Sequence, residues 1–274
     1  MKTVFDHCDC QNLKNALAKE WLEVNGLGGF ASSTIIGANT RRQHGLLVAS
    51  LRSPVERHVL LSKFEERVVT DGHESAISTN LYPGTVFPHG FNIQMGFRLR
   101  PWPVFRYANN DFEIERSVFL VTGENTVVVG YRNLRSRHPV ELKVCPLLAF
   151  RDYNALAERN DDVDFDVERT NGVLSIQPYA DQPRLYFHTK ADAVDMKPDW
   201  YFKFTYPEEK ERGISRRICS RRSSCRIGSR RGRRFMSSRR SRRRAASTPK
   251  IWRHGSGRGA GNSSASGTRR GRRC

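Results

Sequence analysis

The last 61 of the 274 residues contain no Asp or Glu and only five residues of the Leu, Ile, Val and Phe types: Ile214, Ile218, Ile227, Phe235 and Ile251. So little apolar side chain cannot offset the entropy of ordering the segment, which excludes an independent core there. The chain also lacks any apolar run near the ~20 residues that a membrane-spanning helix needs. Its first residues, MKTVFDHCDCQN, carry charges where a signal peptide has an apolar centre. A soluble cytoplasmic protein with no membrane partner is therefore expected. Cysteine is thin as well. Three stand early (Cys8, Cys10, Cys145) and three late (Cys219, Cys225, Cys274), without the density of a secreted disulfide scaffold, so reduced thiols are expected. The one glycosylation-type triplet, Asn262-Ser263-Ser264, has no secretory context.

Charge is present but divided. All 28 acidic residues fall in positions 1–213, with 26 of the 47 Lys and Arg, and leave that stretch at −2. The other 21 basic residues, 20 Arg and Lys250, follow Gly213 and account for the formal +19. Two parts are expected: a folded domain over 1–213 and a disordered basic tail over 214–274. The first is long enough to bury roughly 70% of the surface its unfolded chain exposes. The second should hold RNA or DNA as an incidental polyanion partner. Only Phe235 and Trp252 could stack on bases there, and no recognition fold accompanies them.

Between Thr34 and Thr189 the apolar pattern has period two, with turn residues every eight to twelve positions. That predicts a mainly β fold, an antiparallel two-layer β-sandwich of ten or so strands with minor helix. Strands are expected at Gly45 to Leu51, Lys63 to Thr70, Asp111 to Val121, Asn125 to Tyr131, Val140 to Val144, Val163 to Val167 and Val173 to Ile176. Asp71-Gly72 and Asn171-Gly172 read as hairpin turns, the latter of type I′. Helix is expected only from Asn12 to Glu20 and for a turn or two near Asp152 to Arg159.

Few motifs carry chemistry. Gly26-Leu-Gly28-Gly-Phe-Ala31 fits a dinucleotide fingerprint, but β-branched residues follow in place of a helix, so the glycines should make a tight turn and no cofactor is expected. His7-Cys8-Asp9-Cys10 offers soft ligands without a second pair, so no metal site is expected. Glu65 and Glu66 are adjacent on a strand, point to opposite faces and cannot flank one scissile bond; one should be salt-bridged and the other solvated. No nucleophile elbow or triad stands out, and no catalytic residue is assigned. Thr40-Arg41-Arg42-Gln43-His44 is stronger, since two guanidiniums and an imidazole beside a turn can hold hydroxyls or carboxylates. Trp102, between Pro101 and Pro103, is an aromatic plate on a stiff segment that could stack on a sugar or base, or serve as a core or edge-covering tryptophan.

Three segments, Glu20-Trp-Leu-Glu-Val-Asn-Gly-Leu-Gly-Gly-Phe-Ala-Ser32, Asn39-Thr-Arg-Arg-Gln-His-Gly-Leu-Leu-Val48 and Leu60-Leu-Ser-Lys-Phe-Glu-Glu66, closely resemble the N-terminal domain of the bacterial and archaeal glycogen debranching enzyme (amylo-α-1,6-glucosidase) family. Weaker likeness continues through Ser78 to Tyr82, Pro146 to Tyr153 and Tyr206 to Gly213. The resemblance implies a supersandwich-like domain, glycogen as the α-glucan partner of the full enzyme, and an α/α-toroid domain bearing the catalytic carboxylates. That toroid is not in this sequence, so the chain alone is expected to hydrolyse nothing. Arg41, Arg42, His44 and Trp102 become candidates for contact with substrate or with the missing domain.

Two departures stand out. After Arg151-Asp152-Tyr153 the family usually shows His, where this chain has Asn154. After Gly213 the family continues with an acidic segment similar to Asp-Phe-x-Glu-Asp-Leu-Phe-Ser-Pro, where this chain has Ile214-Ser-Arg-Arg-Ile-Cys-Ser-Arg-Arg222. One allowed codon set for those nine residues, ATT TCG CGG AGG ATC TGT TCT CGC CGG, read from its third base gives Phe-Ala-Glu-Asp-Leu-Phe-Ser-Pro. The tail is therefore expected to be an out-of-frame translation, to be settled by resequencing across codon 213.

Overall fold

The computed structural model describes residues 3–52, 55–189, 191–195 and 199–210, and beyond them the strand backbones of 218–222, 225–228 and 237–240. In chain order the strands are β1 (Val4–Asp6), β2 (Glu20–Val24), β3 (Phe30–Thr34), β4 (Gly45–Arg52), β5 (Glu56–Thr70), β6 (His73–Ala76), β7 (Thr79–Tyr82), β8 (Thr85–His89), β9 (Gln94–Arg98) and β10 (Val104–Ala108). There follow β11 (Phe112–Leu120), β12 (Thr126–Ser136), β13 (Val140–Asp152), β14 (Val167–Thr170), β15 (Val173–Ile176), β16 (Leu185–His188), β17 (Asp199–Phe204), β18 (Ile218–Arg222), β19 (Cys225–Gly228) and β20 (Ser237–Arg240). Three short helices are α1 (His7–Gln11), α2 (Leu13–Leu17) and α3 (Pro207–Lys210).

The described strands form two large antiparallel sheets. The first runs β1-β9-β10-β11-β12-β20-β16-β15-β14, and the second β17-β18-β13-β5-β4-β3-β2, with β19 on β13 and β6 on β5. Strand β11 shows why the sequence chooses this form. Phe112, Ile114, Arg116, Val118 and Leu120 are buried while their neighbours are half exposed, so one face turns to the core and one away. Aromatic rings close the interlayer space: Trp21 of β2 meets Phe105 of β10 edge-on at 6.2 Å, and Phe105 meets Phe97 of β9 at 5.0 Å. Each such fully buried ring contributes roughly 1.5–3 kcal/mol.

The second sheet departs from simple alternation. In β5 every residue from Val59 to Glu66 is buried, the signature of a strand covered on both faces. The β7–β8 hairpin supplies part of that cover, through Lys63 hydrogen bonds to Thr79 and Asn80. Glu65 and Glu66 do point opposite ways, but neither is solvated. Glu66 turns inward to Arg116 of β11 and Tyr131 of β12, and Glu65 outward to Asn80 of β7. The expected wet face was the error, because the covering hairpin is remote in sequence.

Turn chemistry follows the reading. Asp71 and Gly72 have φ of 49° and 77°, and Asn171 and Gly172 51° and 79°, the paired left-handed residues of a type I′ hairpin. The 26–29 loop is a tight turn between β2 and β3 with no helix after it. Asn25 Oδ1 accepts from the N–H groups of Leu27 and Gly29, and Gly29 has no room for a Cβ, which would meet the Val48 carbonyl at 2.9 Å.

Other expectations are corrected. Seventeen strands, not ten or so, precede Gly213 among the described residues. Val163 to Asp166 is not strand. The Asn12 to Glu20 helix is divided: Asp6 caps α1 in a reciprocal box with Asp9, Asn12 caps α2, and β2 has begun by Glu20. Asp152 to Arg159 turns without forming helix. One compact unit runs from Met1 to Ser241. The expected disorder of 214–274 falls, apart from β18, β19 and β20, on residues outside those described.

Candidate functional site

The Arg41-Arg42-Gln43-His44 loop lies between β3 and β4 and gathers partners from three distant segments. Arg41 Nε donates to Glu20 Oε1 at 2.8 Å, and Arg41 Nη2 to Glu208 Oε2 of α3 at 3.4 Å. Arg42 Nε lies 3.3 Å from Glu209 Oε2, and Arg42 Nη1 donates to the Asn154 carbonyl at 2.7 Å. Gln43 Nε2 donates to Asn154 Oδ1 at 3.2 Å, so the asparagine at the family's usual histidine position serves this loop twice. Arg151 then caps the loop from below, donating to the Arg42 carbonyl at 2.6 Å and the Ala155 carbonyl at 2.8 Å.

His44 is 2% exposed. The Thr40 N–H donates to its Nδ1 at 3.0 Å, which makes that nitrogen the acceptor and places the ring proton on Nε2, 3.4 Å from Glu20 Oε1. Thr40 Oγ1 donates to the same carboxylate at 3.2 Å. Burial works to raise the Glu20 carboxyl, but His44 and Arg41 beside it outweigh burial and hold it at about 2, against the ordinary 4.5. A carboxylate with a depressed folded value stabilises the fold fully above 4.5, and the contribution drains away as pH falls from 4.5 toward about 2. Glu20→Gln should therefore flatten the acid limb of a stability–pH curve across that window while leaving its neutral shape intact. An acid limb identical to the native one would show that Glu20 is not the titrating group.

Trp102 is elsewhere. It stands in the β9–β10 connection, 38% exposed, and its ring lies 5.4 Å from Phe119 of β11. The pair borders an open groove of about 820 Å³ on the first sheet, between β10–β12 and the ends of β15 and β16. The structure thus unites Arg41, Arg42 and His44 and separates Trp102 from them, on the other sheet. The carboxylates Glu20, Glu208 and Glu209 and the guanidinium of Arg151 were not picked out as site residues. Only the weak family likeness of the Tyr206 to Gly213 segment carried a hint of Glu208 and Glu209.

The glycine turn leads directly into β3. Cys10 is buried, His7 Nδ1 lies 2.7 Å from the Gln94 carbonyl, and among the described residues no group of three or more His, Cys, Asp and Glu side chains is gathered. Also among the described residues, no helix is long and apolar enough to cross a membrane.

The fold is thus a mainly β, antiparallel sandwich that carries a carboxylate–guanidinium node between the β3–β4 loop and α3. Residues 19–217 match the family described as "Glycogen debranching enzyme N terminal". That match spans well over half of the chain, and the chain belongs to this family. Comparison with curated proteins found no match.

Proposed function

We propose that residues 1–213 act as the glucan-engaging N-terminal domain of a cytoplasmic glycogen-debranching α-1,6-glucosidase, in the breakdown of glycogen, and that hydrolysis belongs to a toroid domain outside this sequence. The observation that carries the reading is the node. Glu20, Arg41 to His44, Arg151 to Asn154 and Glu208–Glu209 come from four of the family-like segments, and they clamp α3, the last described helix, to the β3–β4 loop.

Their donors are already engaged by this domain's own acceptors. Arg41, Arg42 and His44 accordingly serve as positioning residues that set where the chain leaves the sandwich toward the catalytic domain, their nearest charged partners being this domain's own carboxylates. The tail from residue 214 remains, in this reading, an out-of-frame extension; the family match stops at residue 217, close to the Gly213 junction.

In affinity electrophoresis the intact chain should be slowed by glycogen in the gel relative to a glycogen-free gel. Freed of contaminating hydrolases, it should release no glucose from a branched dextrin. Migration indifferent to glycogen would remove the glucan role, and glucose release would remove the division of labour.

A further inference from the structure

The groove beneath Trp102 runs from the outward face of β10 and β11 across β12 to the ends of β15 and β16. Because Ile114, Arg116 and Val118 of β11 face the core, Glu115, Ser117 and Phe119 face away from it. Register then sets cross-strand rows on that face. Val104, Ser117 and Gly130 oppose one another across β10, β11 and β12, with Arg98 of β9 opposite Val104. Glu115 opposes Arg132 in the next row, and Phe119 opposes Val128 on the other side. The turn and strand ends at Asn171, Gly172, His188 and Thr189 form the far wall.

Three properties of this surface select a ligand chemistry. The floor is low at its centre, since Ser117 faces Gly130 and a Cβ on that glycine would come within 2.8 Å of Ser117 Oγ. One wall is a tilted aromatic pair, Trp102 over Phe119, whose outer ring is partly open to solvent. The remaining wall is polar and largely ion-paired: Arg98 pairs with Glu115 at 3.5 Å and Arg106, opposite Glu115, pairs with Glu113, which leaves Arg132 as the further cation of that row. A polyanion site needs an excess of cations, and a peptide groove needs a more continuous apolar floor. A neutral chain with flat C–H faces and hydroxyl edges matches an aromatic plate flanked by planar guanidinium and carboxylate groups. The groove's size falls within the range of roughly 300–1,000 Å³ that holds a ligand of several rings.

We propose that this groove is a non-catalytic binding site for an α-glucan chain, with Trp102 stacking on a sugar ring and Arg98, Glu115 and Arg132 hydrogen-bonding vicinal hydroxyls. It rests on the reading of the chain as a glucan-engaging domain, and adds that the engagement occurs on the first sheet, apart from the Arg41–Arg42 node. The glucan is held by the sandwich itself.

The test uses the intact chain and maltoheptaose, followed by calorimetry, with cellohexaose and a single-stranded oligonucleotide as comparison probes. Trp102→Ala and Arg132→Ala should each weaken maltoheptaose binding, the former by about ten- to a hundredfold. Arg42→Ala should leave it within about twofold. Melting curves verify that each variant is folded, and Phe119→Leu provides a second probe of the plate should Trp102→Ala fail to fold. If the native chain binds no maltoheptaose, the underlying glucan reading fails. If it binds, but Trp102→Ala, Phe119→Leu and Arg132→Ala bind equally well, the glucan role stands and the groove is not its site. Binding of the oligonucleotide lost on Trp102→Ala, with maltoheptaose unbound, would assign the groove to another ligand and overturn the proposal.

Discussion

Arg116→Ala should lower the stability of the sandwich by about 3–5 kcal/mol, the usual consequence of stranding one member of a buried ion pair. Arg116 and Glu66 have side chains only 5% and 2% exposed, and Arg116 Nε lies 2.8 Å from Glu66 Oε1. Phe105 stacks under the guanidinium at 5.0 Å, and the Tyr131 hydroxyl donates to the same carboxylate. Because Glu66 sits on β5 and Arg116 on β11, the pair joins the two sheets across the core. Truncating Arg116 leaves a buried carboxylate with a tyrosine and Ser78 but without its ion-pair partner. Urea denaturation with an unchanged slope measures the loss. The double substitution Glu66→Gln with Arg116→Met should recover most of it, since a buried pair replaced whole by matched uncharged groups is often neutral. A loss below about 1 kcal/mol for Arg116→Ala would mean that the interlayer pair does not hold the sheets.

What could be read from the sequence was local. The alternation in β11, the Asp71-Gly72 and Asn171-Gly172 hairpins and the Gly26 to Gly29 turn all depend on residues within a few positions of each other, and they stand as expected. What could not be read was anything set by a partner far along the chain. One of Glu65 and Glu66 reads as solvated because the cover of Glu65, Asn80, lies on another hairpin, and Glu20 finds Arg41 and His44 only after β2 and β3 fold back.

The strands beyond Gly213 make the same point from the other side. Composition argues against a core of their own, and β18, β19 and β20 in fact pair with β13, β17, β12 and β16 through main-chain ladders, which demand an open edge and little of the side chains. The groove was half legible. Trp102 stood out between its prolines, whereas Arg98, Glu115 and Arg132 gain meaning only once register places them on one face.

Lys63→Met should cost a comparable amount, about 3–5 kcal/mol, although it keeps the length and apolar stem of the side chain. The Lys63 ammonium is fully enclosed and donates to the Gly37 carbonyl at 3.0 Å, the Thr79 carbonyl at 2.7 Å and Asn80 Oδ1 at 2.5 Å. Asn80 in turn donates to Glu65 Oε1, so one amide bridges a buried cation and a buried acid. Removing the ammonium orphans two carbonyls and leaves Glu65, already pushed up by burial, without its nearest cation. A thioether supplies none of those donors.

The same residue leaves a mark on the pH dependence. Burial pushes Lys63 down to about 8 from the ordinary 10.5, against the pull of Glu65 and Glu66. Between those values the folded chain holds fewer protons than the unfolded one, so this group makes stability rise as pH climbs from about 8 toward 10.5. Below 8 the cost of enclosing the charge is fully present. Tyr82, raised to about 12 chiefly by burial, works the opposite way once pH passes its ordinary 10, so the clean window is pH 8 to about 9.5. Melts of the native chain and Lys63→Met across that window should show a rise in the former that is absent from the latter. Parallel curves, or a variant as stable as the native chain at pH 7, would show that the β5–β7 contact does not depend on this ammonium.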